Sequence, residues 1–243
     1  MRCIRFLLIW TTLQASAAPP QTILWAWEVP EDLRFLHNPE VGVAFLATSL
    51  LLRDDTVLVR RRMQPLLVGP ETSVMAVVRI ESDAKRRPLL SAGQRRRTVD
   101  LIQDVIRTTR VSAVQIDFDA RKSERGFYRL LLQDLRARLG RSTFLSITAL
   151  VSWCGSGSWL KGLPVDEFVP MLFRMGPEGL STLYRLGHGE DFPAPECRKS
   201  LGLSLDEPRP PIGVGRRQYF FDPQPWTESS VRLILEENKK QPR

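Results

Sequence analysis

The stretch that most constrains the fold lies mid-chain, at residues 112–120, and reads SAVQIDFDA. Apolar side chains alternate there with a glutamine and with Asp117 and Asp119, which predicts a strand with one apolar and one polar face. The flanking segments 98–109 and 123–139 have the spacing of amphipathic helices. A strand between two helices predicts a parallel α/β sheet, in which ligands bind at the carboxyl ends of the strands, where Asp119 lies.

Further segments with alternating or β-branched apolar residues predict the other strands of the sheet. These are 22–28, 41–52, 73–81, 144–152, 166–175, 200–207 and 217–222, with a hairpin strand at 56–61. Short helices are expected at 30–36 and 159–163. Because no linker or repeat divides the 243 residues, we expect one irregular (β/α)8 TIM-type barrel. The alternative is an open doubly wound sheet, but no nucleotide-binding glycine motif follows a strand.

Residues 1–17 predict a secretory signal peptide. Arg2 and Arg5 flank the start of a short apolar run, and Ala15-Ser16-Ala17 forms a small-x-small cleavage pattern. The run is too short for a permanent membrane span. We therefore expect an exported protein, periplasmic or secreted, whose barrel domain covers 18–243; a buried N-terminal helix is the alternative.

The formal net charge of the chain is +8, and its basic clusters lie at 60–62, 85–87 and 95–97. Because these clusters are not interleaved with aromatic residues or set in a known module, they do not indicate nucleic-acid binding. Solvated surfaces are the favoured interpretation, and attraction to an anionic envelope surface is the alternative.

Two cysteines, Cys154 and Cys197, remain after the predicted signal peptide. An even pair in an oxidising compartment predicts a disulfide, and two isolated buried thiols are the alternative. The chain contains no C-x-x-C motif, and the polar run around His188 can draw on only two histidines in the chain. No metal and no cofactor is therefore expected.

The polar faces of the predicted strands converge on one mouth of the barrel. That mouth is expected to hold Glu28, Arg79, Glu81, Asp117, Asp119, Arg174 and Asp206, with Asp222 ending the last strand and Trp153 on the rim. A glycosidase needs two carboxyls about 5 to 9 Å apart around a glycosidic bond. The alternative is structural: a buried ion-pair network, with the tryptophan packed over the disulfide and the last two aspartates in turns.

If the chain is an enzyme, we expect Asp119 to act as the acid/base. Asp117, about 7 Å deeper along the strand, would raise the pKa of Asp119 by burial and like-charge repulsion. Glu28 or Glu81 would be the second carboxyl. The substrate would be bound and oriented by Arg79, Arg174, Trp153, Asp206 and Asp222.

The motif Ile116-Asp117-Phe118-Asp119 is similar to the fourth-strand signature of the chitinase-like glycoside hydrolases of family 18, which are (β/α)8 barrels. In that family a catalytic glutamate follows two positions after the last aspartate, where this chain has Arg121. The resemblance therefore implies the barrel without that general acid.

A closer resemblance is to exported bacterial proteins with the domain of unknown function 3142. It depends on the segments VQIDFDA, SITALVSWC and, over 163–176, LPVDEFVPMLFRMG. That family implies export and supplies no activity.

The sequence thus predicts an exported, glycoside-hydrolase-like barrel, a monomer that acts on or binds a cell-envelope or extracellular glycan. The alternative is a non-catalytic envelope protein that binds a glycan or a protein partner. Two carboxyls across an open cleft would favour an enzyme, whereas acids all paired with Arg79 and Arg174 would favour a binding protein. An esterase is disfavoured because the chain lacks a G-x-S-x-G elbow.

Overall fold

The computed structural model describes residues 18–177, 179–210 and 215–240, so the predicted signal peptide lies outside the described residues. The strands in chain order are β1 (Thr22–Ala26), β2 (Glu31–Leu33), β3 (Val41–Arg53), β4 (Thr56–Arg61), β5 (Leu66–Val68), β6 (Ser73–Ser82), β7 (Ala113–Asp117), β8 (Phe144–Leu150), β9 (Glu167–Met171), β10 (Ser200–Ser204) and β11 (Arg217–Phe221). The helices are α1 (Ala92–Thr109), α2 (Arg125–Leu139), α3 (Gly179–Gly187) and α4 (Glu228–Lys240).

Eight of these strands form a closed parallel barrel, which confirms the predicted fold. In order around the barrel they are β1, β3, β6, β7, β8, β9, β10 and β11, and β11 pairs with β1 to close it. The helices follow β6, β7, β9 and β11. The other connections, within the described residues, contain turns and 3-10 turns, the β4 hairpin on β3 and a small parallel sheet of β2 with β5, so the barrel is irregular.

The barrel strands bury side chains on both faces. On β7, Val114 and Ile116 pack outward against the helices, as the alternation predicts. The opposite faces fill the barrel with Ile23, Trp25, Ala44, Met75, Val77, Ala113, Val169 and Tyr219. The inner layer seals the lower part of the barrel, so any ligand must bind nearer the carboxyl ends of the strands.

The two short helices predicted in the connections are absent. Residues 30–36 contain strand β2, because Glu31 and Leu33 are buried on one side while Asp32 is exposed, which is a period of two. Residues 159–163 form turns instead of a helix. There Gly162 has a positive φ of 75°, a left-handed conformation incompatible with a continuing helix.

Cys154 and Cys197 form the predicted disulfide, with their Cα atoms 5.8 Å apart. Cys154 ends a 3-10 turn after β8, and Cys197 lies in a second 3-10 turn before β10. The bond therefore ties together two loops that bracket β9 and α3. Among the described residues, no helix is long and apolar enough to cross a membrane.

Candidate functional site

A cavity of about 620 Å³ opens at the carboxyl ends of the barrel strands. One side and the floor are aromatic, formed by Trp25, Trp27, Phe173 and Phe221. The facing side carries charged groups from the ends of β6 and β7. This asymmetry, with apolar rings against a few polar groups, is typical of small-molecule and sugar sites.

The aromatic side is an ordered cluster. The rings of Phe173 and Phe221 are stacked, with centroids 5.8 Å apart and an interplanar angle of 7°. Trp27 meets Phe221 edge-on at 6.4 Å, and Trp25 meets Phe173 edge-on at 6.0 Å. Sequence reasoning did not assign these four residues to the site, although the signal was present: Trp25 and Trp27 alternate along the first strand, and both phenylalanines lie near strand ends.

Asp117 is the deeper acid of the charged side, with 14% of its side chain exposed. The Thr148 Oγ1 hydroxyl donates to it at 2.7 Å, and the Arg79 Nε atom lies 4.0 Å away. Burial raises the pKa of Asp117 to about 6, against the lowering effect of the Thr148 hydrogen bond. At neutral pH this carboxylate is therefore more readily protonated than an ordinary aspartate.

Asp119 follows β7 at the cavity wall, where its side chain keeps access to solvent. Partial desolvation by that wall raises the pKa of Asp119, the charge of Arg79 lowers it, and Glu81 raises it. We expected burial and repulsion by Asp117 to raise this pKa; burial has the largest effect, and the repelling charge is that of Glu81. Among the described residues, no cation lies within ion-pairing distance of the Asp119 carboxylate.

Arg79 and Glu81 lie at the end of β6, as predicted, and pair with each other at 3.1 Å. Arg79 lines the main cavity. Glu81 faces a smaller neighbouring pocket of about 170 Å³ that also contains Arg121. The structure therefore brings Arg79, Asp117 and Asp119 together but leaves Glu81 at the edge of the site.

Glu28 does not lie in the mouth of the barrel, so its predicted position is wrong. Trp25 and Trp27 occupy the inner face of this stretch, which turns the intervening side chains outward. The Glu28 carboxylate is exposed and pairs with Arg60 of the β4 hairpin.

Trp153 is also misplaced by the prediction, because it lies beneath the surface and not on the rim. It is only 2% exposed and packs edge-on against Trp159, with ring centroids 5.0 Å apart. The Arg125 guanidinium covers its ring at 5.9 Å, and the disulfide follows at Cys154. Trp153 is therefore a buried packing residue next to the disulfide-bonded Cys154.

Arg174 lines the cavity just past β9, but its guanidinium is already occupied. It donates to Asp206 at 2.8 Å and to Glu207, and its hydrogen bond holds the pKa of Asp206 below the ordinary value. Asp206 is therefore an ion-pair partner of Arg174 and does not line the cavity. Asp222 accepts from the backbone N–H of Gln224 at 2.9 Å and is a turn residue outside the cavity.

A buried polar network lies below the cavity. Glu167, 2% exposed, accepts hydrogen bonds from Tyr219 at 2.6 Å and from Ser146 at 3.0 Å. Ser200 also donates to Glu167, and Arg217 forms an ion pair with it. Within the described residues, no three histidine, cysteine, aspartate or glutamate side chains are grouped so that they could hold a metal ion.

Comparison with solved structures shows a shared barrel fold. A protein assigned as chitinase A from Streptomyces coelicolor superposes with a TM-score of 0.53 and 10% identity, over 92% of this chain and 97% of that one. A chitinase from Rhizomucor miehei gives 0.46 and 11% identity over 76% and 68% of the two chains. The chitinase domain of the spore coat protein CotE from Clostridium difficile gives 0.42 and 13% over 88% and 71%.

At these identities the likeness concerns the fold alone. No protein-family model and no curated protein matches the sequence. The resemblance to the domain of unknown function 3142 therefore stays a prediction.

Proposed function

We propose that the protein is exported and binds a cell-envelope or extracellular glycan in the aromatic-walled cavity. The observation that carries this proposal is the cluster of Trp25, Trp27, Phe173 and Phe221 facing Asp117 and Asp119 across about 620 Å³. The flat faces of aromatic rings pack against the C–H face of a sugar, and carboxylates accept hydrogen bonds from its hydroxyls. The disulfide supports export, because such bonds persist in oxidising compartments.

The arrangement of the acids favours binding over hydrolysis. The carboxylates among the described lining residues are Asp117, which ends β7, and Asp119, which lies just after it. Most glycoside hydrolases use two carboxyls that flank the bond to be cut. Glu28 faces away, and an exposed arginine, Arg121, occupies the position of the glutamate in family 18. A binding protein needs no such pair.

Hydrolysis is the second candidate, and the Asp117 environment favours it. A carboxyl whose pKa is raised to about 6 can hold a proton near neutral pH, as a general acid must. In that case Asp117, and not Asp119, would be the proton donor, and Asp119 would assist it from the cavity wall. Arg79 would then stabilise the negative charge that remains on the two aspartates after proton transfer.

The deciding experiment measures binding and product release on a panel of envelope and extracellular polysaccharides and their oligosaccharides. The exported chain is used, with its N-terminus read by mass spectrometry; cleavage after Ala17 is expected. Trp27→Ala should weaken binding about tenfold, because it removes a stacking face. Tyr184→Ala, at an exposed aromatic on α3 outside the cavity lining, is the matched control and should bind as the wild type does.

The two candidates separate in the aspartate variants. If the wild type binds a glycan and releases no product, and Asp119→Asn still binds that glycan, the result supports the binding protein. Product that disappears in both Asp117→Asn and Asp119→Asn supports the hydrolase. A wild-type protein that binds nothing on the panel contradicts both.

A further inference from the structure

Trp25 forms the floor of the cavity and is fixed in place by its neighbours. Its ring is 3% exposed and lies 5.2 Å from the ring of Tyr219. The indole Nε1–H donates a buried hydrogen bond of 2.8 Å to the side-chain oxygen of Gln115. Its backbone oxygen accepts from the Nε1–H of Trp226 at 2.9 Å, which anchors the strand from outside the barrel.

Gln115 can accept this hydrogen bond in only one of its two amide orientations. The Gln115 Nε2 atom donates to the hydroxyl of Ser146 at 3.1 Å, and that hydroxyl donates its own proton to Glu167 at 3.0 Å. Because the hydroxyl has a single proton, it must accept from Gln115, so the amide oxygen points to Trp25. The buried network therefore sets the direction of the indole N–H.

Gly202 determines how deep in the barrel the indole ring of Trp25 can lie. A Cβ atom at this position of β10 would come within 2.8 Å of the Trp25 Cη2 atom and 3.2 Å of its Cζ3 atom. The ring thus occupies the space that any other residue would fill with its side chain. With the N–H end held by Gln115, a larger residue at 202 would force the ring toward the cavity.

We propose that Gln115 and Gly202 are positioning residues of the glycan site, which hold Trp25 as a rigid floor and set how deeply a sugar ring can enter. The inference rests on the proposed function and deepens it. A floor held before the ligand arrives needs no ordering on binding, which favours affinity. Because the floor rings are neutral, the part of the ligand that reaches Trp25 is the uncharged C–H face of a sugar.

The first test observes the indole itself and needs no ligand. In ¹H–¹⁵N spectra, the Trp25 indole signal is assigned from its loss in Trp25→Phe. Gln115→Leu removes the acceptor, so this signal should shift and its N–H should exchange faster. Gln218→Leu is the matched control. Gln218 is a buried glutamine on β11, the strand next to β1, and it does not line the cavity.

The second test measures affinity for the glycan found with the wild type. Gln115→Leu and Gly202→Ala should each bind about tenfold more weakly, while Gln218→Leu binds almost as the wild type does. Comparison with the Gln218 variant separates lost positioning from lost stability.

The outcomes distinguish this inference from the proposed function. An indole signal unchanged in Gln115→Leu overturns the inference, as does equal affinity in the Gln115→Leu and Gln218→Leu variants. A responsive indole in a protein that binds no glycan overturns the proposed function and leaves Gln115 as a residue that positions the cavity floor.

Discussion

The acids at the two ends of the barrel interior differ in how many hydrogen-bond and ion-pair partners they have. At the bottom, Glu167 is 2% exposed and has four partners, among them the cation of Arg217. At the mouth, Asp117 has one hydroxyl donor, and Arg79 lies 4.0 Å away and is shared with Glu81. Burial raises the pKa of Asp117 to about 6 because these contacts do not replace the lost water.

The difference indicates which acid belongs to the structure and which to the site. A fully paired acid stabilises one arrangement of the barrel and has no capacity left for a ligand. An acid with unfilled hydrogen-bonding capacity that faces a cavity is a candidate for contact with a ligand or for proton transfer. Four substitutions test this contrast.

The largest effect is expected at the bottom of the barrel. Glu167→Ala leaves the guanidinium of Arg217 buried without its counter-charge, which should lower the free energy of unfolding by about 3 to 5 kcal/mol. Urea denaturation measures this loss. Glu71→Ala, at an exposed position, is the control and should unfold as the wild type does. A loss below about 1 kcal/mol in Glu167→Ala would show that the network is not a structural unit.

At the mouth, Asp117→Asn should stabilise the protein by an amount that grows between about pH 4 and pH 6 and is complete above that range. The folded state retains a proton on Asp117 between about pH 4, the unfolded pKa, and about pH 6. Wild-type stability therefore falls as the pH rises through this window, and the asparagine variant lacks that fall. Urea unfolding at pH 8 should show a gain of about 2 kcal/mol that is absent at pH 4. Equal effects at both values would contradict the raised pKa.

Thr148→Val sharpens the contrast by removing the hydroxyl donor of Asp117. The pKa of Asp117 should rise further, because the hydrogen bond from Thr148 favours the charged form in the wild type. Above that pKa the free energy of unfolding should fall by about 1 kcal/mol. Titration of the Asp117 carboxyl ¹³C shift measures the change. A pKa that stays at the wild-type value would mean that Thr148 does not stabilise the carboxylate.

The smallest effect is expected at the rim. Arg174 and Asp206 form an ion pair whose side chains are 54% and 37% exposed, so water and salt screen it. Asp206→Asn should therefore lower the free energy of unfolding least among the four substitutions. The comparison is made by urea unfolding at low and high salt, where the difference from the wild type should shrink. A larger loss would place this pair with the structural acids of the barrel bottom.

The parts of the fold that the sequence predicts correctly are those where polarity alternates. On β7, Val114 and Ile116 face the helices, whereas Gln115 and Asp117 face the interior. On β6, Val77 and Arg79 likewise share the inner face. A strand with one apolar and one polar face has a single orientation that buries the first, so the side of each residue follows from the pattern.

The errors arise where both faces of a strand are apolar. In β1, Leu24 and Trp25 are both buried, one outside the barrel and one inside it, so the pattern does not say which face lines the cavity. We therefore placed Glu28 in the mouth and missed Trp27. The position of Trp153 could not be predicted either, because it depends on Trp159 and the disulfide across a long loop.

The disulfide also determines what a single cut in the chain would do. Cys154 and Cys197 bracket the segment that carries β9, α3 and the residues of one cavity wall. A protease that cuts at the exposed residues 187–190 would leave both pieces covalently joined. The nicked protein would then run as one band without a reducing agent and as two with it. In surroundings rich in proteases, the C-terminal piece, which carries β10, β11 and the cavity residue Phe221, would remain attached after the first cleavage.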